Sequence, residues 1–349
     1  MITMFPYLLP SEVEWDGGGA DDNWTTAENW TTDTAPVAGD SLVFAGSTRL
    51  EPDNDFASGT SFNGIKFKSG AGNFDLRLYG ALNLGGGGAA FNNDTSSGLT
   101  KIQAVTQEEI TFTAAPTFYT KTGASSEFRN IAIVGGSFDL TFDGGGDMVF
   151  EGVDMLVSGT GNIIKNGSGT LVTFGTNSAA YTGNVVVNAG VLRTRTGIGA
   201  WEEEGGDILV NSGATLSGEG YHGGSITIKS GATVSPGSGA TSPGTIFSDP
   251  EGLFILESGS TVSIPLDGNS LSGMIEAYGS TFTFTGVNLT IPSVTSPGAA
   301  ATWLITNAHS PTTGTFVDKA EAAEWVVDGR TLRINYNVGT HTVITDVTP

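Results

Sequence analysis

The chain has 349 residues, 52 of them glycine and none cysteine, and a formal net charge of −22. The negative charge repels phosphate backbones and anionic lipids, so we expect neither nucleic-acid binding nor membrane insertion. Because the chain has no cysteine, disulfides and thiolate metal sites are excluded. Because only 14% of the residues are charged, the composition is typical of an all-β protein with many tight turns, not of a disordered acidic tail.

The first predicted element is a hydrophobic attachment arm at residues 1–14. Its sequence, MITMFPYLLPSEVE, has no basic stretch before the apolar residues and no small-residue cleavage site, so we do not expect a signal peptide. We expect the arm to dock onto another structural protein subunit, for example by adding a strand to a sheet edge. The side chains expected to make this attachment are Ile2, Met4, Phe5, Tyr7, Leu8 and Leu9.

An N-terminal cap rich in Trp, Asp and Gly is predicted at residues 15–46, beginning WDGGGADDNWTTAENW. Acids and aromatic residues beside a glycine run suit a calcium loop, a sugar-binding platform or a cap over the end of the fold. The spacing of the aspartates fits no defined calcium loop, so a cap is favoured, with weak binding of Ca²⁺ or sugar as the alternative and no other cofactor expected. The residues of this candidate site are Asp16, Asp21, Asp22, Trp24 and Trp30.

Residues 47–290 carry a five-residue pattern with a central glycine, found as GSGTL, SGATL, SGATV and SGSTV and more loosely as NAGVL. Intervals of 21, 23, 18 and 28 residues separate the central glycines, which are Gly169, Gly190, Gly213, Gly231 and Gly259. Periods near 20 with short alternating strands are typical of a solenoid, in which each coil buries its inner face against its neighbours. We therefore predict a parallel β-helix, with an antiparallel sandwich of hairpins as the alternative.

Alternation along the strands predicts which side chains face the core. In SITIKSGATV, we expect Ile226 and Ile228 to point inward, with Lys229 in solvent. By the same rule, the acids Asp139 and Asp143 of SFDLTFDGGG lie on the solvent side.

Residues 167–194, GSGTLVTFGTNSAAYTGNVVVNAGVLRT, resemble the autotransporter-associated β-strand repeat, whose core reads G-x-G-x-L-x-L…Y-T-G-x-T-x-V-x-x-G-x-L. The matching positions are Gly167, Gly169, Leu171, Tyr181, Thr182, Gly183, Val187, Gly190 and Leu192. The opening WDGGGADDNW and the closing LRINYNVGTHTVIT are similar to the ends of such proteins. The resemblance implies a β-helical passenger-like protein displayed at a surface.

A C-terminal β cap is predicted for residues 291–349, because short alternating strands continue to the end. One stretch in it, VDKAEAAEWVV at residues 317–327, has the composition of a helix. We predict two or three helical turns there.

Candidates for catalysis are few. The chain has three histidines and no G-x-S-x-G motif before a helix, and the GGGG run at Gly85–Gly88 has no following helix or lysine, so we interpret it as a turn. A glycosidase needs two acids at a defined separation, for which Glu203 and Asp207 are candidates, and a lyase needs a base such as Arg193 or Arg195. We expect all four to be exposed surface charges, and we predict no catalytic residue and no metal centre.

These patterns predict a non-enzymatic structural surface protein, with a phage or virion fibre or decoration subunit first. Autotransporter-like proteins carry a signal peptide and a C-terminal anchor; because neither is recognisable, we expect a display route that needs no export signal. A secreted bacterial adhesin passenger and a polysaccharide depolymerase on the same scaffold are the alternatives. The expected location is a virion surface or the cell exterior, and the expected partners are other structural subunits, further copies in a homo-oligomer and a cell-surface glycan.

Overall fold

The computed structural model describes residues 11–85, 88–151, 158–173, 181–195, 197–198, 206–237, 243–248, 252–267, 272–278, 282–295, 301–309 and 311–348. In these residues the protein is a parallel β-solenoid with one short 3₁₀ helix, Ala27–Asn29. The predicted fold class is therefore confirmed. Within the same ranges no helix has the length and apolar character needed to span a bilayer.

The first sheet runs along one side of the solenoid and contains eleven parallel strands stacked in chain order. Its strands are Glu12–Trp15, Ser41–Phe44, Gly64–Phe67, Gly88–Asn93, Pro116–Thr120, Leu140–Asp143, Ile163–Lys165, Val185–Val187, Ile208–Val210, Ile226–Ile228 and Phe254–Leu256.

The second sheet has fourteen strands, eleven of them on its main path. The main path consists of Asp53–Asn54, Asp75–Leu78, Gly98–Phe112, Ala124–Gly136, Asp147–Glu151, Thr170–Thr173, Val191–Thr194, Thr215–Gly218, Thr233–Pro236, Thr261–Ser263 and Asn288–Thr290. The other three strands pair beside the main path; they are Thr60–Phe62, Leu82–Leu84 and Ser158–Gly159.

The third sheet begins as part of the solenoid and ends as its C-terminal cap. Five parallel strands come first: Gly197–Ile198, Gly220–His222, Thr245–Ser248, Met274–Ala277 and Thr302–Asn307. Three antiparallel strands follow in the order His341–Asp346, Arg330–Val338 and Glu324–Val327. A separate parallel pair joins Leu266–Asp267 to Val294–Thr295.

The repeated pentapeptide builds one column of the core. Its last residue is the inward position of successive strands of the second sheet, and every member is at most 1% exposed. The column is Leu171, Leu192, Leu216, Val234 and Val262. Stacking coil on coil thus removes from water an apolar row that no single coil buries alone.

The central glycines of the repeat turn the chain at a corner of the coil. Gly213 and Gly231 have φ angles of +83° and +78°, in the left-handed region that disfavours a side chain. The Gly213 N–H donates to the carbonyl of Gly231 at 2.9 Å, and the Gly231 N–H donates to Gly259 at 2.9 Å. The turns therefore stack on one another as the strands do.

The predicted alternation is confirmed. Ile226 and Ile228 are fully buried, whereas the Lys229 side chain is 41% exposed. Asp139 is exposed and Asp143 partly exposed, on the outer side of the first sheet. In the GGGG run, Gly88 begins a strand instead of completing a turn, and residues 86 and 87 lie outside the described ranges.

The predicted helix at residues 317–327 is wrong. Its second half is the strand Glu324–Val327, which pairs antiparallel with Arg330–Val338. Trp325 and Val327 both pack against the core, and a strand places two such residues on one face. Burial of these side chains outweighs the helix propensity of the preceding alanines and glutamates.

The hairpin turn is formed by Asp328 and Gly329. Their φ angles, +49° and +76°, are those of a two-residue turn that follows the twist of the flanking strands, for which Asp-Gly is a preferred sequence. Glu324 and Arg333 face each other across the hairpin as an ion pair.

Candidate functional site

The tryptophans of the predicted N-terminal site cover the end of the core. Trp15, Trp24 and Trp30 are 0% exposed and pack around Phe44 of the first sheet, with ring centroids 5.6–6.1 Å apart. The Trp30 Nε1–H donates to the carbonyl of Trp24 at 2.8 Å. Because all three rings are fully buried, none offers a face on which a sugar can stack, and this geometry favours the role of a cap.

The aspartates of the same segment serve separate local contacts. Asp16 accepts a hydrogen bond from the Gly18 N–H at 3.0 Å, and the Asp22 carboxylate lies 3.1 Å from Arg49. Asp21 accepts from the Thr26 hydroxyl at 2.7 Å, and this bond is the largest cause that lowers the pKa of Asp21. Among the described residues, no group of three or more His, Asp and Glu side chains is arranged to hold a metal ion. Calcium binding here stays a prediction.

The predicted attachment side chains, Ile2, Met4, Phe5, Tyr7, Leu8 and Leu9, lie outside the described residues. The described chain enters the fold at the edge of the first sheet, where the Ser11 carbonyl accepts from the Ser41 N–H at 2.8 Å. Residues 12–14 of the predicted arm already form a strand of that sheet. The solenoid therefore begins inside the predicted arm, before residue 47.

Of the two acids proposed for glycoside cleavage, the structure describes only Asp207. Asp207 accepts from the Ser225 N–H of the next coil at 2.9 Å, and its own N–H donates to the Asn184 side chain at 3.0 Å. Asp207 thus belongs to a ladder of side-chain acceptors that ties coil to coil, while Glu203 lies outside the described residues. Arg193 lies on the outer side of the second sheet, next to Val172 and Ser217 in the paired strands.

Elsewhere on the surface, opposite charges on neighbouring coils face each other. The ion pairs are Lys101–Asp75 at 3.8 Å, Lys121–Asp94 at 3.0 Å, Arg129–Glu151 at 3.1 Å and Lys229–Glu257 at 2.7 Å. Each contributes about 1 kcal/mol or less because the groups are solvated. Their effect is to offset the like-charge repulsion of an acidic chain along its coils.

Sequence reasoning missed a row of side chains on the outer face of the third sheet. Strand register places these residues side by side on five successive strands. We call this row the third-sheet strip; it consists of Tyr221, Phe247, Glu276, Asn307 and His341. Aromatic, acidic, amide and imidazole groups follow one another along the solenoid axis at the strand spacing of ~4.8 Å.

Glu276, at the centre of the strip, is a largely buried carboxylate held in a fixed position. It is 9% exposed, and one of its oxygens, Oε1, lies 2.9 Å from Asn307 Nδ2 and 2.8 Å from His309 Nε2. The Tyr278 ring stacks on His309, with centroids 4.5 Å apart and planes 19° from parallel. Burial, and then the nearby charge and hydrogen bond of Glu276, raise the pKa of Tyr278.

His309 has an unusual backbone conformation. Its φ of +52° lies in the left-handed region, which is uncommon for a residue other than glycine and is often found at functional sites. The Asn307 side-chain oxygen accepts from the His309 N–H at 3.2 Å and from the Thr340 hydroxyl at 3.0 Å. The amide therefore fixes both the carboxylate and the imidazole.

No motif in the sequence marks this strip, because intervals of about 30 residues with differing loops separate its members. The available signal was the type of residue at outward positions. Tyr221, Phe247 and Glu276 occupy the outward positions of the strands GYH, TIFS and MIEA, although Glu276 is largely buried in the structure.

No protein-family model matches the chain, and no curated protein or solved structure is detectably similar to it. The similarity to the autotransporter-associated repeat therefore stays a prediction from the sequence.

Proposed function

We propose that the protein is a non-enzymatic structural module displayed on a surface, with a fibre or decoration subunit of a virion as the first candidate. The observation that carries this proposal is a continuous apolar core, closed at one end by the three buried tryptophans and at the other by the antiparallel strands. Eleven stacked strands give a rod of ~50 Å along its axis, before the caps are counted.

Closure at both ends supports a rod of fixed length over end-to-end growth. An open solenoid end presents unpaired strands and exposed core, which favour end-to-end growth. Here Trp15 and Trp30 cover one end, and Trp303 and Ile344 lie buried in the cap at the other. A rod of fixed length is suited to projecting from a particle or a cell. The apolar side chains that precede Ser11 in the predicted arm supply a candidate attachment.

The proposal is tested by immunogold electron microscopy with antibodies raised against the full chain, on virions and on intact cells from the source. We expect gold on particles for a virion subunit and on cell exteriors for an adhesin. Label confined to the cell interior, or release of reducing ends from a polysaccharide by the purified protein, would overturn the proposal.

Attachment is tested by substitution in the arm. We expect the double change Phe5→Asp and Leu8→Asp to prevent incorporation into particles while leaving the circular dichroism spectrum and melting temperature unchanged. Val37→Asp is the matched control, because Val37 is 57% exposed in the cap segment and lies outside the arm. Equal incorporation of the unaltered protein, the double variant and Val37→Asp into particles would argue against the arm as the anchor.

A further inference from the structure

We propose that the third-sheet strip, together with the stacked pair Tyr278 and His309, is a binding site for an extended, uncharged polysaccharide chain. This inference does not depend on how the protein is displayed. It concerns what the exposed flank of the solenoid recognises.

The strip has the chemistry that sugars require. A pyranose presents C–H groups on its faces and hydroxyls around its rim, so it is bound by an aromatic ring beside fixed hydrogen-bonding groups. Tyr278 is 42% exposed, and Phe247 is partly exposed one strand before Glu276. The Glu276 carboxylate and the Asn307 amide lie between Phe247 and His341 in the row.

The polar groups of the site are fixed before any ligand arrives. Glu276 is held by Asn307 and His309, and Asn307 is held in turn by Thr340. Groups positioned in this way lose little conformational entropy on binding. A carboxylate so largely removed from water makes strong charge-assisted hydrogen bonds to hydroxyl donors.

The shape of the site favours a chain over a single sugar. Tyr221 and His341 are the two ends of a row across five strands, which spans ~19 Å at the strand spacing. The row lies on a sheet face, whereas an extended peptide ordinarily pairs through its backbone with a sheet edge. A linear polymer lying along the solenoid axis would contact the partly exposed members of the strip, Tyr221, Phe247, Asn307 and His341, and would pass over the largely buried Glu276.

Charge decides which polysaccharide fits. A carboxylate occupies the centre of the strip, and the whole chain carries a net charge of −22. Uronic acids, sulfated sugars and nucleic acids are therefore repelled, while neutral hydroxyl-rich chains are not.

The test is affinity gel electrophoresis of the full-length protein in gels containing neutral polysaccharides (β-glucan, mannan, xylan, dextran) or anionic ones (alginate, polygalacturonate). We expect retardation in at least one neutral gel and none in the anionic gels. We expect Tyr278→Ala, and separately Glu276→Gln, to weaken the neutral interaction at least tenfold by isothermal titration.

Tyr79→Ala is the matched control, because Tyr79 is 54% exposed and follows a strand of the second sheet. Melting temperatures establish that each variant is folded, and the isosteric Glu276→Gln tests the site if Tyr278→Ala is unstable. Failure of every neutral polysaccharide, equal retardation in anionic gels, or the same loss in Tyr79→Ala would overturn the proposal. Retention of a protein partner by the strip, with no polysaccharide bound, would overturn it as well.

Discussion

Replacing Asn93 by alanine should destabilise the solenoid more than any single contact on its surface. Asn93 is fully buried at the end of a first-sheet strand. Its Nδ2 donates to the Thr100 and Ser126 hydroxyls at 2.9 and 3.0 Å, joining the first sheet to the second. Its Oδ1 accepts from both the N–H and the hydroxyl of Thr95, at 3.1 and 2.6 Å.

The magnitude follows from which groups lose their partners. In Asn93→Ala, the Ser126 hydroxyl keeps its bond to Thr120 at 2.7 Å, and the Thr100 hydroxyl keeps the Ser125 carbonyl at 3.4 Å. The two Thr95 donors are left buried without the acceptor that they share. At about 1–3 kcal/mol for each unsatisfied group, the expected loss is about 4 kcal/mol.

The assay is urea unfolding monitored by circular dichroism and tryptophan fluorescence, because agreement of the two probes tests for a single transition. Thr100→Val removes one network hydroxyl at constant shape and should cost about 1 kcal/mol. Thr227→Val, the matched exchange at a partly exposed position of the first sheet, should change stability by less than about 0.5 kcal/mol. A loss below about 1 kcal/mol in Asn93→Ala would refute the reasoning.

Three further predictions rest on single sites. Burial lowers the pKa of Lys165 to about 8, so between pH 8 and 9.5 the unfolded chain holds more protons than the folded one and the free energy of unfolding should rise with pH. Urea melts at several pH values should show this rise in the unaltered protein and not in Lys165→Met. The same dependence of stability on pH in both proteins would contradict the prediction. Gly144→Ala should unfold the protein or lower its melting temperature far more than Gly213→Ala. A Cβ at Gly144 would lie 1.9 Å from the Thr120 carbonyl oxygen, whereas a Cβ at Gly213 would meet no atom and would be disfavoured only by the positive φ angle. Equal effects of the two substitutions would argue against the clash. Trp24→Ala should cost about 3–5 kcal/mol by opening the capped end, measured by thermal unfolding, and a loss near zero would exclude the cap.

The solenoid was readable from sequence because its repeat encodes both the core and the turn. Leu192 and Leu216 occupy the same buried column, and Gly213 supplies the positive φ of the corner, so one pentapeptide reports two structural requirements. The same logic predicts the tryptophan cap, since buried rings are needed where the stack ends, and the structure buries Trp15, Trp24 and Trp30.

The C-terminal hairpin was missed for a local reason. The run KAEAAE has high helix propensity, but Asp328 and Gly329 are a turn pair between two alternating runs, and the burial of Trp325 depends on that turn. The Asp-Gly turn decides the local structure here because tertiary packing outweighs helix propensity in a segment as short as this one.

The third-sheet strip was missed because it depends on register, not on local pattern. Loops of different length precede Phe247, Glu276 and Asn307, and only the paired strands show that these residues are neighbours. Sequence alternation indicates that each of them points outward, but it does not indicate which coil positions coincide.

The outer faces of two sheets differ in a way that stacking alone does not explain. On the second sheet, one outward column carries Thr215, Thr233 and Thr261 between Val191 and Asn288, and none of these five side chains brings a charge to the surface of the sheet. On the third sheet, five successive outward residues are all different, and one is the largely buried Glu276. Burying a carboxylate costs free energy, and an outward threonine would build the same coil without that cost. This cost at Glu276 is the reason why we place the proposed recognition site on the flank formed by the third sheet.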